Sequence, residues 1–531
     1  MLQRVFFVLL LLFIQVYNVK SEKAFYPEAT FFAQESDFFL HTIERGETVY
    51  SIASTYHVSV DAIYALNPGS KEGIKTGYTL KIPQESGSYF FHTIQPKETL
   101  YSVSRQYQMK GEDIIAVNPG LSIETFTIGK IIRIPTNKVT SPLQDANETV
   151  DRLNTEALLK PSVTGKNIEK IKVALLLPFG LKEGTSPSNA SKNKMVEYYE
   201  GLLLALNDLK KKNISVQLQV YDTGSKTDLI PAILKKAEMQ DIHLLIGGVA
   251  DEQIRLLSNF ASSKKIPYVI PLNSESSEPL NNYNVYQVNT PQPFLYSKTS
   301  LAFYNQFKEA NIIFYDSAKE TGKDADKLDF IAILKADLTA KKIPFKVIPA
   351  GNNLSSAFSK EINYQLNNVI IPSDDSKATL AKLIQSLKVI KENYPETAIS
   401  LFGYPRWQVY ASEYSVDLFR LNTHFYSIYY ANSSSSDVKL FHTKYHRWFS
   451  RDLINIFPKY GMLGYDTGMF FIQLLNRYGT SYDSNINSLK YKGIQTDFYF
   501  ERVNNWGGFI NKNIYFVEFD TNFNINVKRV E

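Results

Sequence analysis

The amino-acid sequence predicts a multidomain chain in which two small βααβ modules precede an α/β bilobed domain with parallel sheets. Two observations predict this fold class. Residues 41–69 are repeated at 92–120, with 13 of the 29 paired positions identical. After residue 170, apolar runs alternate with helix-like segments, which is typical of βαβ units. A chain of 531 residues is long enough for several domains.

The first 21 residues have the pattern of a secretory signal peptide. Arg4 precedes an apolar run over 5–17, and Ser21 offers a small residue before the cleavage point. A retained N-terminal anchor is the alternative. No second long apolar run follows, so we expect no membrane span after cleavage.

The absence of cysteine limits the cellular compartments that fit this chain and the kinds of reactive or metal site that it can form. With 0 Cys, a lipoprotein anchor, thiol nucleophiles and cysteine metal sites are excluded. Large secreted eukaryotic chains usually carry disulfides, so the sequence favours the periplasm of a bacterial envelope. The net charge of +5 is spread over 531 residues, which does not predict nucleic-acid binding.

The first repeat, over 38–83, begins with the β-prone segment FFLHTI and ends with the strand-like YTLKIP. Between them, Thr48 provides a helix cap, and Ser59 provides another. The turn Asn67-Pro68-Gly69 stops the second helix. The second repeat, over 89–135, follows the same order of strand, helix, helix and strand.

These motifs, from HTIERGETVYSIA through ALNPG to LKIP, resemble the LysM module. The resemblance implies binding of N-acetylglucosamine-containing glycan, in bacteria peptidoglycan, in a shallow groove between the first strand-to-helix loop and the loop after the second helix. It implies these glycan-binding residues: Gly46, Glu47, Thr48, Val49, Asn67, Pro68 and Ile74 in the first copy; Glu98, Thr99, Leu100, Asn118 and Pro119 in the second, with Lys97 and Ile123 beside them. Each groove is expected to bind weakly, and two linked modules bind more tightly than one.

The second copy departs from the pattern because Pro96-Lys97 replaces the glycine, which is the residue most permissive of backbone shape. We therefore expect module 2 to bind less well or only to assist. His41, His92 and the tyrosines at 56 and 107 are interpreted as structural.

Residues 136–169 are polar and aperiodic and predict a linker, with a short helix near 150–159, whose reach lets the modules and the remainder move independently. The two lobes are predicted at about 170–295 and 296–531, and their interleaving stays open. The segments KVALLLPF, LLIGGVADEQIRLL and IPYVIPLNS resemble the type I periplasmic-binding-protein fold.

That resemblance implies a ligand cleft between the lobes, at the carboxyl ends of the strands. The candidate cleft residues are Gly248, Ala250, Asn273, Ser274, Tyr315, Asp316, Ser373, Tyr404, Tyr465 and Asp466.

Enzyme motifs are missing from the sequence: there is no G-x-S-x-G, P-loop, H-E-x-x-H or G-x-G-x-x-G. His442 and His446 lie one turn apart without a nearby carboxylate set, and Asp374-Asp375 is interpreted as a solvated loop pair. We therefore expect no catalytic site, metal or cofactor.

The sequence favours a non-enzymatic, wall-bound periplasmic protein whose C-terminal domain docks a cell-wall synthesis partner. The alternatives are a receptor for an amino-acid or wall-fragment solute, and a wall hydrolase. A cleft lined by converging polar groups would favour the receptor, and a collapsed cleft beside an exposed apolar patch would favour docking.

Overall fold

The computed structural model describes residues 37–44, 47–75, 77–84, 88–136, 148–160, 168–180, 190–317, 325–351 and 353–530. Residues 1–21, where the sequence predicts a signal peptide or anchor, lie outside the described part. From Phe38 onward the chain forms one compact unit.

Each module is a two-stranded antiparallel sheet with two short helices, as predicted. Module 1 pairs Phe38–Thr42 (β1) with Thr79–Pro83 (β2), and its helices are Val49–Tyr56 (α1) and Val60–Leu66 (α2). Module 2 pairs Tyr89–Thr93 (β3) with Ile131–Pro135 (β4), and its helices are Leu100–Gln106 (α3) and Gly111–Val117 (α4). A linker helix follows at Glu148–Ala157 (α5).

The remainder alternates strands and helices. Its strands are β5 Ile171–Leu177, β6 Val216–Asp222, β7 Leu244–Gly247, β8 Tyr268–Ile270, β9 Val285–Gln287, β10 Asn311–Asp316, β11 Phe345–Pro349, β12 Asn368–Pro372, β13 Ile399–Gly403, β14 Thr423–Ser427, β15 Phe500–Arg502, β16 Phe509–Asn511, β17 Tyr515–Phe519 and β18 Ile525–Arg529. Its helices are α6 Ala190–Lys211, α7 Ile230–Leu234, α8 Asp251–Lys264, α9 Glu278–Asn281, α10 Tyr296–Phe307, α11 Ala325–Ala340, α12 Leu354–Glu361, α13 Lys377–Asn393, α14 Ala411–Arg420, α15 Ser436–Phe449 and α16 Tyr460–Tyr478.

Two seven-stranded sheets, one in each lobe, confirm the predicted α/β architecture. The first has the order β15-β16-β9-β8-β7-β5-β6, and the second has the order β11-β10-β12-β13-β14-β17-β18. Pairing is parallel except at β15–β16, β14–β17 and β17–β18. Apolar runs such as IKVALLL are buried on both faces because helices cover both sides of a parallel sheet.

The lobes are interleaved, because the chain crosses from the second lobe back to the first near its end. Strands β15 and β16 join the first sheet, and β17 and β18 join the second. Helix α16 also returns to the first lobe, where it packs against α6. A Cβ on Gly464 would lie 2.0 Å from the carbonyl oxygen of Tyr198, so glycine permits this close approach.

The modules are packed against the first lobe by the loop between β15 and β16. Trp506 in this loop is only 2 % exposed, and its ring centroid lies 5.3 Å from that of Phe91. The guanidinium of Arg133 lies 4.4 Å from the Trp506 ring, and its Nη2 donates to Oδ1 of Asn281 at 2.7 Å. Burial lowers the pKa of Arg133 to about 10. The expectation of independently moving modules is therefore wrong for the described structure.

Candidate functional site

The first strand-to-helix loop of module 1 is held by a chain of three side chains. Nε2 of His41 lies 2.7 Å from Oε2 of Glu47, and Nδ1 lies 3.0 Å from the hydroxyl of Tyr56. Because an ionised carboxylate only accepts hydrogen bonds, Nε2 carries a proton. The backbone N–H of Glu44 also donates to Oε2 of Glu47 at 2.7 Å. Glu47, a predicted glycan-binding residue, thus shapes the loop from within.

Module 2 repeats this arrangement. His92 lies 2.8 Å from Oε2 of Glu98 and 2.9 Å from the hydroxyl of Tyr107. Lys97 adopts a φ of 71°, the left-handed conformation that glycine takes most easily. The replacement of glycine in this copy therefore does not prevent the turn, although it costs strain. In both modules Thr48 and Thr99 cap the first helix through a capping box.

The two predicted asparagines clamp the second helix to the closing strand. Nδ2 of Asn67 donates to the carbonyls of Ile63 and Lys81, and its Oδ1 accepts from the N–H of Lys81 at 2.9 Å. Asn118 makes the same contacts with Ile114 and Arg133. These bonds use both amide hydrogens, so the side chains are already engaged without sugar.

The groove of module 1 is a cleft of about 290 Å³. It brings together four of the predicted residues: Glu47, Thr48, Val49 and Ile74. Gly46 lies outside the described residues. Asn67 and Pro68 are not among the lining residues; they start the short turn Pro68–Glu72.

Sequence reasoning missed several residues of this cleft. Tyr50, Tyr64 and Lys71 also line it, and the Nζ of Lys71 lies 5.7 Å from the Tyr64 ring. Tyr50 falls off the apolar stripe of its helix, and that position is the signal that marks it as a surface aromatic. Tyr64 is half-buried and also packs against the core of module 1. The opposite wall comes from the second lobe, from helices α10 and α11.

The groove of module 2 is covered by the chain's own linker. Oε1 of Glu156 accepts from the backbone N–H of Tyr101 at 2.9 Å, next to Leu100, one of the predicted glycan-binding residues. The carbonyl of Leu159 accepts from the N–H of Ile123 at 3.2 Å, on the other side of the groove. Leu159 is buried in the core of module 2.

Pro119 and its neighbour face the C-terminal part of the chain. The N–H of Gly120 donates to the carbonyl of Asn505 at 2.7 Å, and Pro119 lines a cavity with Tyr283 and Asp483. The two modules therefore differ in their surroundings, although their internal geometry is nearly the same.

Most of the predicted inter-lobe residues have structural contacts. The Nδ2 of Asn273 donates to the carbonyl of Val249, and its Oδ1 accepts from the N–H groups of Glu275 and Ser276. Ala250 precedes helix α8 as its cap residue, and half-buried Ser274 lies in the turn after Asn273.

Close packing accounts for the other strand-end candidates. Gly248, at a φ of 76°, has no room for a Cβ, which would lie 2.7 Å from the Tyr268 hydroxyl oxygen. Tyr404 donates to the carbonyl of Pro372 at 2.7 Å, and Tyr465 donates to Asp208 at 3.0 Å. Tyr315 and Ser373 are buried, and Asp316 ends β10 half-buried.

Asp466 anchors a loop of the chain rather than facing the space between the lobes. Its carboxylate accepts from the N–H groups of Ile494, Gln495 and Thr496 and from the hydroxyl of Tyr491. Complete burial raises the pKa of Asp466 to about 6, against the lowering effect of these hydrogen bonds.

A cavity of about 420 Å³ lies between the lobes, lined by residues from both. Asp375 lies 3.6 Å from Nζ of Lys327 and 3.6 Å from Nη1 of Arg406, and Lys194 contributes from the first lobe. The interpretation of Asp374-Asp375 as a solvated pair is wrong. Both carboxylates are buried, and both have partners that compensate for the loss of water. Asp374 accepts from the N–H of Ser376 at the start of α13, and Asp375 is paired with the two cations.

Within the described residues, no group of three or more acidic, histidine or cysteine side chains is placed to hold a metal ion. His446 lies 3.0 Å from Asp452 at the surface. Among the same residues, none of the helices combines the length and apolar character needed to cross a membrane.

Comparison with known proteins identifies the modules. The LysM domain family model matches residues 41–83 and 92–135, so the chain carries two LysM domains. Over 97 residues the chain is 32 % identical to a protein of Bacillus subtilis named as a sporulation-specific glycosylase, YdhD. The match covers 18 % of this chain and spans only 22 % of that curated relative.

The remainder is similar in chain course to substrate-binding proteins. An ABC transporter substrate-binding protein of Desulfitobacterium hafniense, in complex with Leu, covers 68 % of this chain and 100 % of its own at a TM-score of 0.42 and 12 % identity. A branched-chain amino acid ABC transporter protein of Rhodospirillum rubrum has the same coverage, a TM-score of 0.48 and 11 % identity. The fold assigned to residues 170–531 rests on the strand order of its two sheets, not on these similarities.

Proposed function

We propose that this is a non-enzymatic periplasmic binding protein, held on peptidoglycan by module 1, whose bilobed domain binds a second ligand. The observation that carries the proposal is the cleft of module 1, which gathers Glu47, Thr48, Val49 and Ile74 around a space of about 290 Å³. A LysM domain with this groove accessible supports binding of N-acetylglucosamine-containing glycan. Module 2, covered by the linker, serves mainly to hold that linker.

The test is sedimentation of the full chain after signal cleavage with insoluble peptidoglycan. Tyr50→Ala removes an aromatic wall of the cleft and should leave most of the protein in the supernatant. Tyr78→Ala is the matched control, because Tyr78 is 65 % exposed in the same module and should not matter. Equal sedimentation of both variants would refute the assignment of the groove. Release of soluble sugar fragments from the peptidoglycan would refute the non-enzymatic role.

For the bilobed domain, the converging polar lining of the inter-lobe cavity favours a small solute over a docked protein. Lys194, Lys327 and Arg406 outnumber Asp375 there, so an anionic solute, such as an acidic amino acid or wall fragment, fits best. Calorimetric titration with acidic amino acids should give binding that Arg406→Ala weakens about tenfold or more. Arg420→Ala, at an exposed position of α14, should leave the affinity unchanged.

Docking of a cell-wall synthesis partner is the second candidate. It is favoured by exposed apolar side chains on α15, where Leu440 is 54 % and Trp448 is 49 % exposed. Binding of a partner that survives Arg406→Ala but is lost in Leu440→Asp would select this candidate over the solute receptor.

A further inference from the structure

The cleft of module 1 has two walls from different domains. Val49 and Tyr50 come from the LysM module, whereas Leu301, Ile333 and Asp337 come from helices α10 and α11 of the second lobe. These residues of the two walls are about 250 to 290 positions apart in sequence, so no local sequence motif indicates that they meet.

A phenol and a carboxylate face each other across the two walls. The hydroxyl of Tyr50 lies near the carboxylate of Asp329, on the first turns of α11, and burial followed by this negative charge raises the pKa of Tyr50 to about 12. The phenol therefore stays protonated beside the carboxylate. The first helix of module 1 thus lies beside the second lobe, with the cleft between them.

The lining suits a saccharide. Leu301, Ile333 and Val49 provide apolar surface, and Tyr50 provides an aromatic edge. Asp337, which also accepts from the hydroxyl of Ser300 at 2.5 Å, provides a charged acceptor for sugar hydroxyl groups. Ligand sites generally combine an apolar lining with a few placed polar groups, and they have volumes of roughly 300–1,000 Å³. At about 290 Å³, the cleft lies at the lower end of this range.

We propose that module 1 and the second lobe form one composite saccharide site, which takes the end of an N-acetylhexosamine glycan or a short fragment of it. The proposal rests on the glycan-binding function of module 1. The helices of the second lobe wall off one side of the groove, so a short ligand makes all the contacts that the site offers. The affinity for glycan then depends on residues outside the LysM module.

Calorimetric titration of the full chain with N-acetylglucosamine oligomers, from monomer to hexamer, tests this proposal. For the wild type, affinity should rise up to the dimer or trimer and then stay constant. Ala336→Trp fills the cleft from the side of the second lobe and should weaken trimer binding by about tenfold or more. Leu328→Trp is the matched control, since Leu328 is 45 % exposed on the same helix and does not line the cleft. It should bind like the wild type.

A thermal melt of each variant separates misfolding from loss of the site. If Ala336→Trp fails to fold, Asp337→Asn, which preserves side-chain volume, replaces it and should weaken trimer binding by about tenfold. If Ala336→Trp and Leu328→Trp bind as tightly as the wild type, the composite site is refuted and the LysM groove alone binds the glycan. Affinity that continues to rise to the hexamer also refutes it. If the wild type binds no oligomer, both the glycan-binding function and the composite site are refuted.

Discussion

Replacing Trp506 by alanine should loosen the modules from the first lobe. The indole is 2 % exposed, contacts Phe91 and lies 4.4 Å from the guanidinium of Arg133. Its removal leaves a cavity at the junction of both modules and the C-terminal domain. It also leaves buried Arg133 with fewer aromatic partners, since the Tyr89 ring, at 4.4 Å, is the principal one remaining.

The magnitude follows from this burial. A tryptophan buries about 150–250 Å², which at about 25 cal/mol per Å² corresponds to roughly 4–6 kcal/mol. Measured substitutions of buried Trp by Ala cost about 3–5 kcal/mol, and we expect that range. For a cooperative unit over Phe38–Glu531, an unfolding entropy near 1 kcal/mol/K converts this into a fall in Tm of about 3–5 °C.

Calorimetry and limited proteolysis of the linker measure the effect. Trp448→Ala is the matched control, because Trp448 is 49 % exposed on α15, and it should change stability by less than about 0.5 kcal/mol. Trp506→Phe should recover most of the stability, because among the described residues the indole N–H has no acceptor to lose. If Trp506→Ala matches Trp448→Ala in both assays, the packing argument is wrong.

Three further predictions concern single side chains. Because burial raises the pKa of Asp466 to about 6, above its ordinary 3.8, the folded state binds the extra proton. Its contribution to stability is therefore present below about pH 4 and is lost as the pH rises through 6, by up to roughly 3 kcal/mol. Denaturant titrations should show this slope in the wild type and not in Asp466→Asn. Glu156→Ala frees the N–H of Tyr101 and should raise the number of trisaccharides bound per chain from one towards two, while Arg152→Ala on the exposed face of α5 should not. Asn118→Ala removes three hydrogen bonds and should cost about 2–4 kcal/mol in urea unfolding; a cost under about 0.5 kcal/mol would contradict its clamping role.

The modules were predictable because their determinants are local. Thr48 caps a helix three residues before the serine that completes the capping box, and the apolar stripe follows at helical spacing. The sequence also indicates that His41 is structural. It does not indicate the partners Glu47 and Tyr56, because that network depends on how the strand and helix fold back on each other.

The sites between domains were not predictable for the opposite reason. Asp375 looks like a loop carboxylate until Lys327 and Arg406 are brought beside it by different βα connections. The docking of the modules depends on a loop that follows β15, far from them along the chain. One signal was available: Trp506 is a large aromatic residue inside the turn-like segment VNNWGGF, and such a residue usually requires a partner surface.

The module pair touches both lobes, and this has a mechanical consequence. Trp506 and Asn281 tie the modules to the first lobe, whereas Tyr50 lies beside α10 and α11 of the second lobe, near Asp329. Any hinge motion that opens or closes the space around Asp375 must therefore stretch or shear one of these two attachments. The LysM pair therefore links the two lobes on one side of the molecule. Under the proposed function, tension from a glycan strand on module 1 would be transmitted to the cavity around Asp375.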